Sequence, residues 1–137
     1  MRWAILDTSV YINHWERGLH GEALVAVRQA FIIRQSAVVL SELRRGARTR
    51  KAHHLVEALY RLAKIQWAPT QGDWWRAGIL IRRVGDLHHW DRQKRLEFQN
   101  DVLIALTARR HGATIVTANR GDFELLGKEL TVALLVL

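Results

Sequence analysis

The chain of 137 residues has no cysteine, one proline and no long apolar run. The missing cysteines exclude a disulfide framework, zinc or iron–sulfur sites built on thiolates, and a cysteine nucleophile; they also suit a reducing compartment. Near the N-terminus the apolar run is only Trp3-Ala4-Ile5-Leu6, far short of a signal-peptide core or a membrane span of ~20 residues. A soluble, cytoplasmic protein with no membrane partner is therefore expected. Acidic residues are also scarce, 13 against 21 Lys and Arg, which leaves a formal net charge of +8. The basic residues recur as Arg44-Arg45, Arg48, Arg50-Lys51, Arg82-Arg83, Arg92, Lys94-Arg95 and Arg109-Arg110. That distribution suits a polyanionic partner, either nucleic acid or an acidic protein segment, although solubility alone also explains it. With 49% hydrophobic residues, the chain can bury a core, and its length predicts one domain over residues 1–137.

Short apolar runs alternate with helical periodicity. Trp3–Leu6 reads as a buried strand that feeds a helix through Asp7-Thr8-Ser9, and Gly18 is placed to stop that helix. A second helix covers 22–30, and Phe31-Ile32-Ile33 reads as a short strand. Ser36 is a candidate N-cap for a helix ending near Gly46, and the apolar spacing from Leu55 to Ala63 predicts an amphipathic helix over 51–65. Residues 65–68 alternate like a strand closed by Pro69. A long helix follows Thr70, and 88–97 reads as a polar, basic loop or capping region. Helical patterning resumes over 101–111, with Gly112 as its stop. Thr114–Thr117 reads as a buried strand, 122–126 as a short helix and 131–137 as a last strand. Strands alternating with helices imply a parallel sheet covered on both faces.

In such sheets ligands bind beyond the carboxyl ends of the strands, so polar residues just after buried runs carry the most weight. Asp7 follows the first strand, and Asn119 and Asp122 follow Thr117. Glu42 and Asp101 lie on helices that the same connectivity can bring over that edge. Each acid also has a plainer reading: Asp7, Asp101 and Asp122 as helix caps, and Glu42 as half of a surface pair with Arg45 or Arg48. Four clustered carboxylates would instead repel one another, raise one another's pKa and attract a hard divalent cation such as Mg²⁺ or Mn²⁺.

The order strand-Asp, helix-Glu, helix-Asp, strand-Thr-x-Asn-x-x-Asp resembles that of the PIN-domain ribonucleases, in particular the VapC toxins of bacterial toxin–antitoxin pairs. Four segments carry the resemblance: Leu6–Ile12, Ser36–Gly46, Asn100–Ala105 with His111-Gly112-Ala113, and Thr117–Phe123. It implies a single α/β domain whose central parallel sheet of about four to five short strands is flanked by helices on both faces. It further implies an acidic pocket for Mg²⁺ or Mn²⁺. Asp7, Glu42 and Asp101 match the family's three core acids, Asp122 the more variable fourth, and Asn119 the polar position before it. Thr8 or Ser9 matches the hydroxyl that orients the first acid, with Thr117 in the same supporting role; position 9 is Ser where many relatives carry Asn. The implied activity is metal-dependent endoribonucleolysis, with Asp7 and Asp101 on the principal ion and Glu42 and Asp122 on a second ion or a water. Water attack would leave a 5′-phosphate and a 3′-hydroxyl. The implied partners are the RNA substrate, a VapB-type antitoxin and a second copy in a homodimer, with a larger toxin–antitoxin assembly beyond that.

A basic rim would have to offset the acids. Arg44, Arg45, Arg48, Arg50 and Lys51 near Glu42, with Arg92, Lys94, Arg95 and Arg120 on the other side, are the candidates for holding RNA phosphates. Trp74, Trp75 and Trp90 match no motif and read as core or interface more readily than as base-stacking platforms. His53-His54 and His88-His89 lack metal-ligand spacing and read as surface. Two alternatives remain at this stage. One is a PIN-like module that binds nucleic acid without cutting it. The other is an aspartate-based phosphatase or receiver domain, which would use Asp7 but normally carries companion acids absent here.

Overall fold

The computed structural model describes residues 2–137. Its central sheet has four strands, all parallel, in the order β2-β1-β5-β6. These are β1 (Arg2–Leu6), β2 (Phe31–Ile33), β5 (Thr114–Thr117) and β6 (Ala133–Val136). The two middle strands are the continuous apolar runs: Ala4, Ile5, Leu6, Ile115 and Val116 are all buried, as strands covered on both faces must be. The edge strands β2 and β6 are only half-buried.

From β1 the chain crosses to β2 on one side through α1 (Thr8–Arg17) and α2 (Gly21–Ala30). It returns past β1 to β5 through α3 (Ala37–Gly46), α4 (Arg50–Leu62), α5 (Gln71–Leu87) and α6 (Arg92–His111), and reaches β6 through α7 (Arg120–Glu129). Because parallel crossovers are right-handed, this reversal places helices on both faces. It also makes the gap between the carboxyl ends of β1 and β5 the topological switch point, where the connections leave in opposite directions.

Six expectations need correction. Residues 92–97 are helix, not loop: Asp91 caps α6 by accepting from the Lys94 N–H at 2.9 Å, Gln93 bonds Glu97 one turn on, and fully buried Phe98 packs edge-on to Trp90 at 4.9 Å. Only one side chain of that stretch points inward, so the apolar spacing that reveals a helix is missing there. Asp101 is consequently mid-helix, and its reading as a cap fails. The strand near 66 is real but lies outside the central sheet: β4 (Gln66–Trp67) pairs in parallel with β3 (Gln35–Ser36), a two-residue strand with no apolar pattern to announce it. Finally, α4 stops at Leu62, α7 runs from Arg120 to Glu129, and β6 is shorter than 131–137.

The small β3–β4 ladder is tied to the rest by aromatics. Trp67 lies edge-on to Trp3 at 5.8 Å and stacks flat on His111 at 3.9 Å. Helix α5 begins with a reciprocal Thr70–Asp73 cap, and Asp73 also receives Arg110 from the end of α6 at 3.0 Å. No helix among the described residues is long and apolar enough to cross a membrane.

Candidate active site at the switch point

Asp7 is the residue at which β1 becomes α1. Its backbone N–H extends the ladder to the Val116 carbonyl at 2.8 Å, so the side chain is delivered to the switch point by strand pairing itself. It is only 3% exposed. Both the Ser9 hydroxyl (2.8 Å) and the Thr117 hydroxyl (2.9 Å) donate to its Oδ2. Ser9 in turn accepts from the Ala118 N–H at 3.1 Å, and Thr117 Oγ1 accepts from the Asn119 N–H at 2.9 Å. These bonds lock the ends of β1 and β5 around one carboxylate. Serine at position 9 thus supplies the contact that the unusual residue type had put in question. Asp7 caps nothing with its side chain, so the plainer reading is not what the structure shows.

The remaining acids approach from helices. Glu42, on α3, accepts from the Thr8 hydroxyl at 2.9 Å, and Asn100, the residue before Asp101, lies close enough to favour its charged form. Thr8 and Ser9 therefore serve different acids. Asp101 reaches the site from the middle of α6 and Asp122 from the first turn of α7, close enough that Asp122 raises the pKa of Asp101. Asn119 donates to Asp122 Oδ2 at a long 3.4 Å. Asp7, Glu42, Asp101 and Asp122 are thus brought together, with Thr8, Ser9, Thr117 and Asn119 among them.

The electrostatics follow from burial and like charge. Desolvation pushes the Asp7 carboxyl above its ordinary range, against the hydroxyls of Ser9 and Thr117 and nearby backbone amides, which favour the charged form. Glu42 is raised by desolvation and by the charge of Asp7, opposed by Thr8, Asn100 and Arg45. Asp101 is moved furthest, to about 8, by desolvation and then by the charges of Asp7, Asp122 and Glu42. The cluster holds more negative charge than it can keep without a cation.

Among the described residues no three His, Asp or Glu side chains close around a point tightly enough to enclose a bare ion. The donor set nevertheless fits a hydrated hard cation. Mg²⁺ keeps most of its waters and takes one or two carboxylates directly, so an acidic wall with room for water suits it better than a closed cage. All the nearby donors are oxygens, the ligand type such ions take.

The basic residues divide sharply. Arg44, Arg45 and Arg48 are exposed around the end of α3 and form no ion pair among the described residues. Arg95 is not a rim residue. Its guanidinium donates to the Trp90 carbonyl at 3.0 Å and to Asp86 at 2.9 Å, and it lies where a Cβ on Gly85 would meet it at 2.8 Å. Arg120 pairs with Glu124 one turn away, at 2.9 Å. Lys94 is the basic residue that sequence reasoning placed on the rim and the structure brings inside: its ammonium lies 3.0 and 3.3 Å from the two oxygens of Asp122. Its signal was the seven-residue step to Asp101, two turns along one helix face. Asn100 was missed as well, and only its adjacency to Asp101 marked it.

From Glu42 a cavity of about 370 Å³ opens between α1, α3 and α4, with Leu43, Leu55 and Val56 on its floor and Arg48 and Lys51 at its edge. Trp74 and Trp75, expected in core or interface, are half and 79% exposed, whereas Trp90 packs on the core. The His53-His54 and His88-His89 pairs are exposed, as expected.

Carboxylates gathered at the switch point of a four-stranded parallel sheet define a class of α/β proteins whose chemistry sits in an acidic notch. A family model for the PIN domain matches residues 4–129, and the chain belongs to that family. Solved structures share the fold over nearly the whole chain. VapBC2 from Rickettsia felis, bound to a DNA fragment from its promoter, matches at 20% identity and a TM-score of 0.65, with 98% of each chain covered. VapBC-5 from Mycobacterium tuberculosis, a member of the VapBC family of toxin–antitoxin systems, matches at 23% and 0.63, covering all of both chains. FitAcB from Neisseria gonorrhoeae matches at 24% and 0.63, with 96% of this chain and 95% of that one covered. No curated protein sequence matches.

Proposed function

We propose that this chain is a metal-dependent endoribonuclease acting as the toxin of a type II toxin–antitoxin pair in the cytoplasm. The observation that carries the reading is the convergence of Asp7, Glu42, Asp101 and Asp122 from four different elements on one notch, with Asp101 pushed to about 8 by burial and then by the charges of the others. Mg²⁺ or Mn²⁺ is the cofactor that such a donor set calls for. Bound there, it supplies Lewis-acid activation of water and neutralises charge on a phosphodiester.

The chain's own contribution is placement. Asp7 is immobilised by the Ser9 and Thr117 hydroxyls, Glu42 by the Thr8 hydroxyl, and Asp101 by a helix whose next seven residues, Val102 to Ala108, are all buried. Such support matters because misplacement by about 1 Å costs on the order of 10²-fold in rate. Asp122 and Asn119 complete the wall beside Asp101. Arg44, Arg45 and Arg48 lie where RNA phosphates would flank the notch, and they offset the repulsion between four acids and a polyanion.

The similarity to VapBC and FitAcB assemblies supports a VapB-type antitoxin as partner, and with it the expected homodimer and larger complex. The cavity beside Glu42, apolar on its floor and lined by Glu16 and Glu42 as well as Arg48 and Lys51, suits a segment of an inhibitor that carries apolar side chains.

The deciding experiment is cleavage of total cellular RNA by the purified chain with Mg²⁺ or Mn²⁺, with EDTA, and with Asp7→Asn in parallel. Cutting that needs the metal and Asp7, leaving 5′-phosphate and 3′-hydroxyl ends, is the expected result. A 2′,3′-cyclic product would sink the water mechanism. Retention of RNA binding by an inactive wild type, with no growth arrest on expression in cells, would favour a binding module.

A further inference from the structure

The acids of the notch are not equivalent. Asp7 and Glu42 accept hydrogen bonds from neutral hydroxyls and Asp101 forms no ion pair among the described residues, whereas Asp122 alone has a lysine ammonium on both of its oxygens, at 3.0 and 3.3 Å. That ammonium is not a loose surface charge. Its residue lies in the first turn of α6, where the Lys94 N–H is fixed by the Asp91 cap at 2.9 Å. Its Nζ rests 5.0 Å from the centroid of the Trp90 ring, and Trp90 is held edge-on against buried Phe98. Cation–π contact and a carboxylate thus hold Nζ from two sides. The side chains of Lys94 and Asp122 are 35% and 22% exposed, against 79% and 50% for the surface pair Arg61–Glu57.

We propose that Lys94 is the built-in cation of this site: it takes Asp122 as its permanent counter-ion and leaves Asp7, Glu42 and Asp101 to a single divalent ion. The inference rests on the nuclease reading for the presence of that ion, and adds how many the site takes and what occupies the remaining place. A second divalent ion at Asp122 would have to dislodge an ammonium already in contact with both carboxylate oxygens, and it would meet like charge at short range. Lys94 is therefore a positioning residue. It holds Asp122 beside Asp101 while cancelling much of its charge.

The test is Mn²⁺ binding to the metal-free full chain, followed by calorimetry and by the loss of the free-ion electron paramagnetic resonance signal. Wild type is expected to bind one Mn²⁺ per chain, Lys94→Arg one, and Lys94→Met two, because Asp122 is then released. Asp122→Asn is expected to keep a stoichiometry of one and to change the dissociation constant by less than about threefold, a small shift in free energy; Asp101→Asn should weaken binding at least tenfold. Two ions on the wild type, one ion on a folded Lys94→Met, or a tenfold loss of affinity in Asp122→Asn would each overturn the proposal while leaving the nuclease reading intact. If Lys94→Met does not fold, Asp122→Asn decides alone. No Mn²⁺ bound by wild type would overturn both readings.

Discussion

Two basic regions of this molecule are indistinguishable by composition and opposite in use. Around the end of α3, Arg44, Arg45 and Arg48 project into solvent without ion-pair partners among the described residues. Along the junction of α5 and α6 the two neighbouring cations are engaged: Lys94 with Asp122, and Arg95 with Asp86 and the Trp90 carbonyl. The first region keeps its charge available for a partner, and the second uses its charge to fix the architecture of the notch. A net charge of +8 therefore overstates what an incoming polyanion meets on one side and describes it fairly on the other.

The contrast between cluster and surroundings can be broken most severely at Asp101. Asp101→Asn should lower metal-dependent cleavage by about 10³-fold or more, since a catalytic ion supplies several kcal/mol of transition-state stabilisation. The same variant should raise the melting temperature of the metal-free chain at neutral pH, because Asp101 must take up a proton on folding and an amide need not. Loss of activity without that gain would mean that Asp101 is not held in its protonated form.

The exposed arginines are the next largest lever. Replacing Arg44, Arg45 and Arg48 together by alanine should weaken binding of single-stranded RNA on the order of tenfold or more and flatten its salt dependence by roughly two units of log–log slope. Chemical denaturation should show stability unchanged within about 0.5 kcal/mol, as for exposed residues without partners. Arg95→Ala should do the reverse, lowering stability by about 1–2 kcal/mol through two lost charge-assisted hydrogen bonds while leaving the salt slope alone.

Titration probes the same division. Folded Asp101 keeps its proton up to about 8, whereas the unfolded chain releases it near the ordinary aspartate value of 3.8. Between those values the folded state binds more protons, so metal-free stability should fall as pH rises across that window. Asp7 and Glu42 are raised too and contribute with the same sign. Melting curves from acid to mildly alkaline pH would show the decline, and saturating Mg²⁺ should reduce it. A rise of stability with pH through the window would contradict the placement of these acids.

The smallest expected effect is also the most selective. Gly85 lies within a helix, where alanine is normally favoured by up to about 1 kcal/mol, but its Cβ would fall 2.8 Å from the Arg95 guanidinium. Gly85→Ala should therefore cost about 1 kcal/mol in the wild type by displacing Arg95, and become stabilising in the Arg95→Ala background. A double-mutant cycle measures the change of sign directly.

What the sequence discloses depends on how many residues speak at once. β1, β2 and β5 are legible because buried parallel strands are short apolar runs bounded by caps, and α1 and α6 end at Gly18 and Gly112, both in the left-handed conformation. The four acids are legible through their order along the chain. The first turns of α6 are hidden because they bury Phe98 alone, and β3 because Gln35-Ser36 has no apolar face. Lys94 and Arg95 are adjacent and chemically alike, yet one enters the acidic notch and the other clamps a helix junction; only the direction in which α6 starts decides between them.

The bonds that fix Asp7 tie residue 7 to residue 117, and Asp122 arrives later still. A growing chain thus has no notch until nearly all of it has been made, because neither the supporting hydroxyl nor the second wall exists before then. For the ribonuclease proposed above, that ordering would act as a safeguard written into topology, since a fragment or unfinished chain would lack the assembled notch.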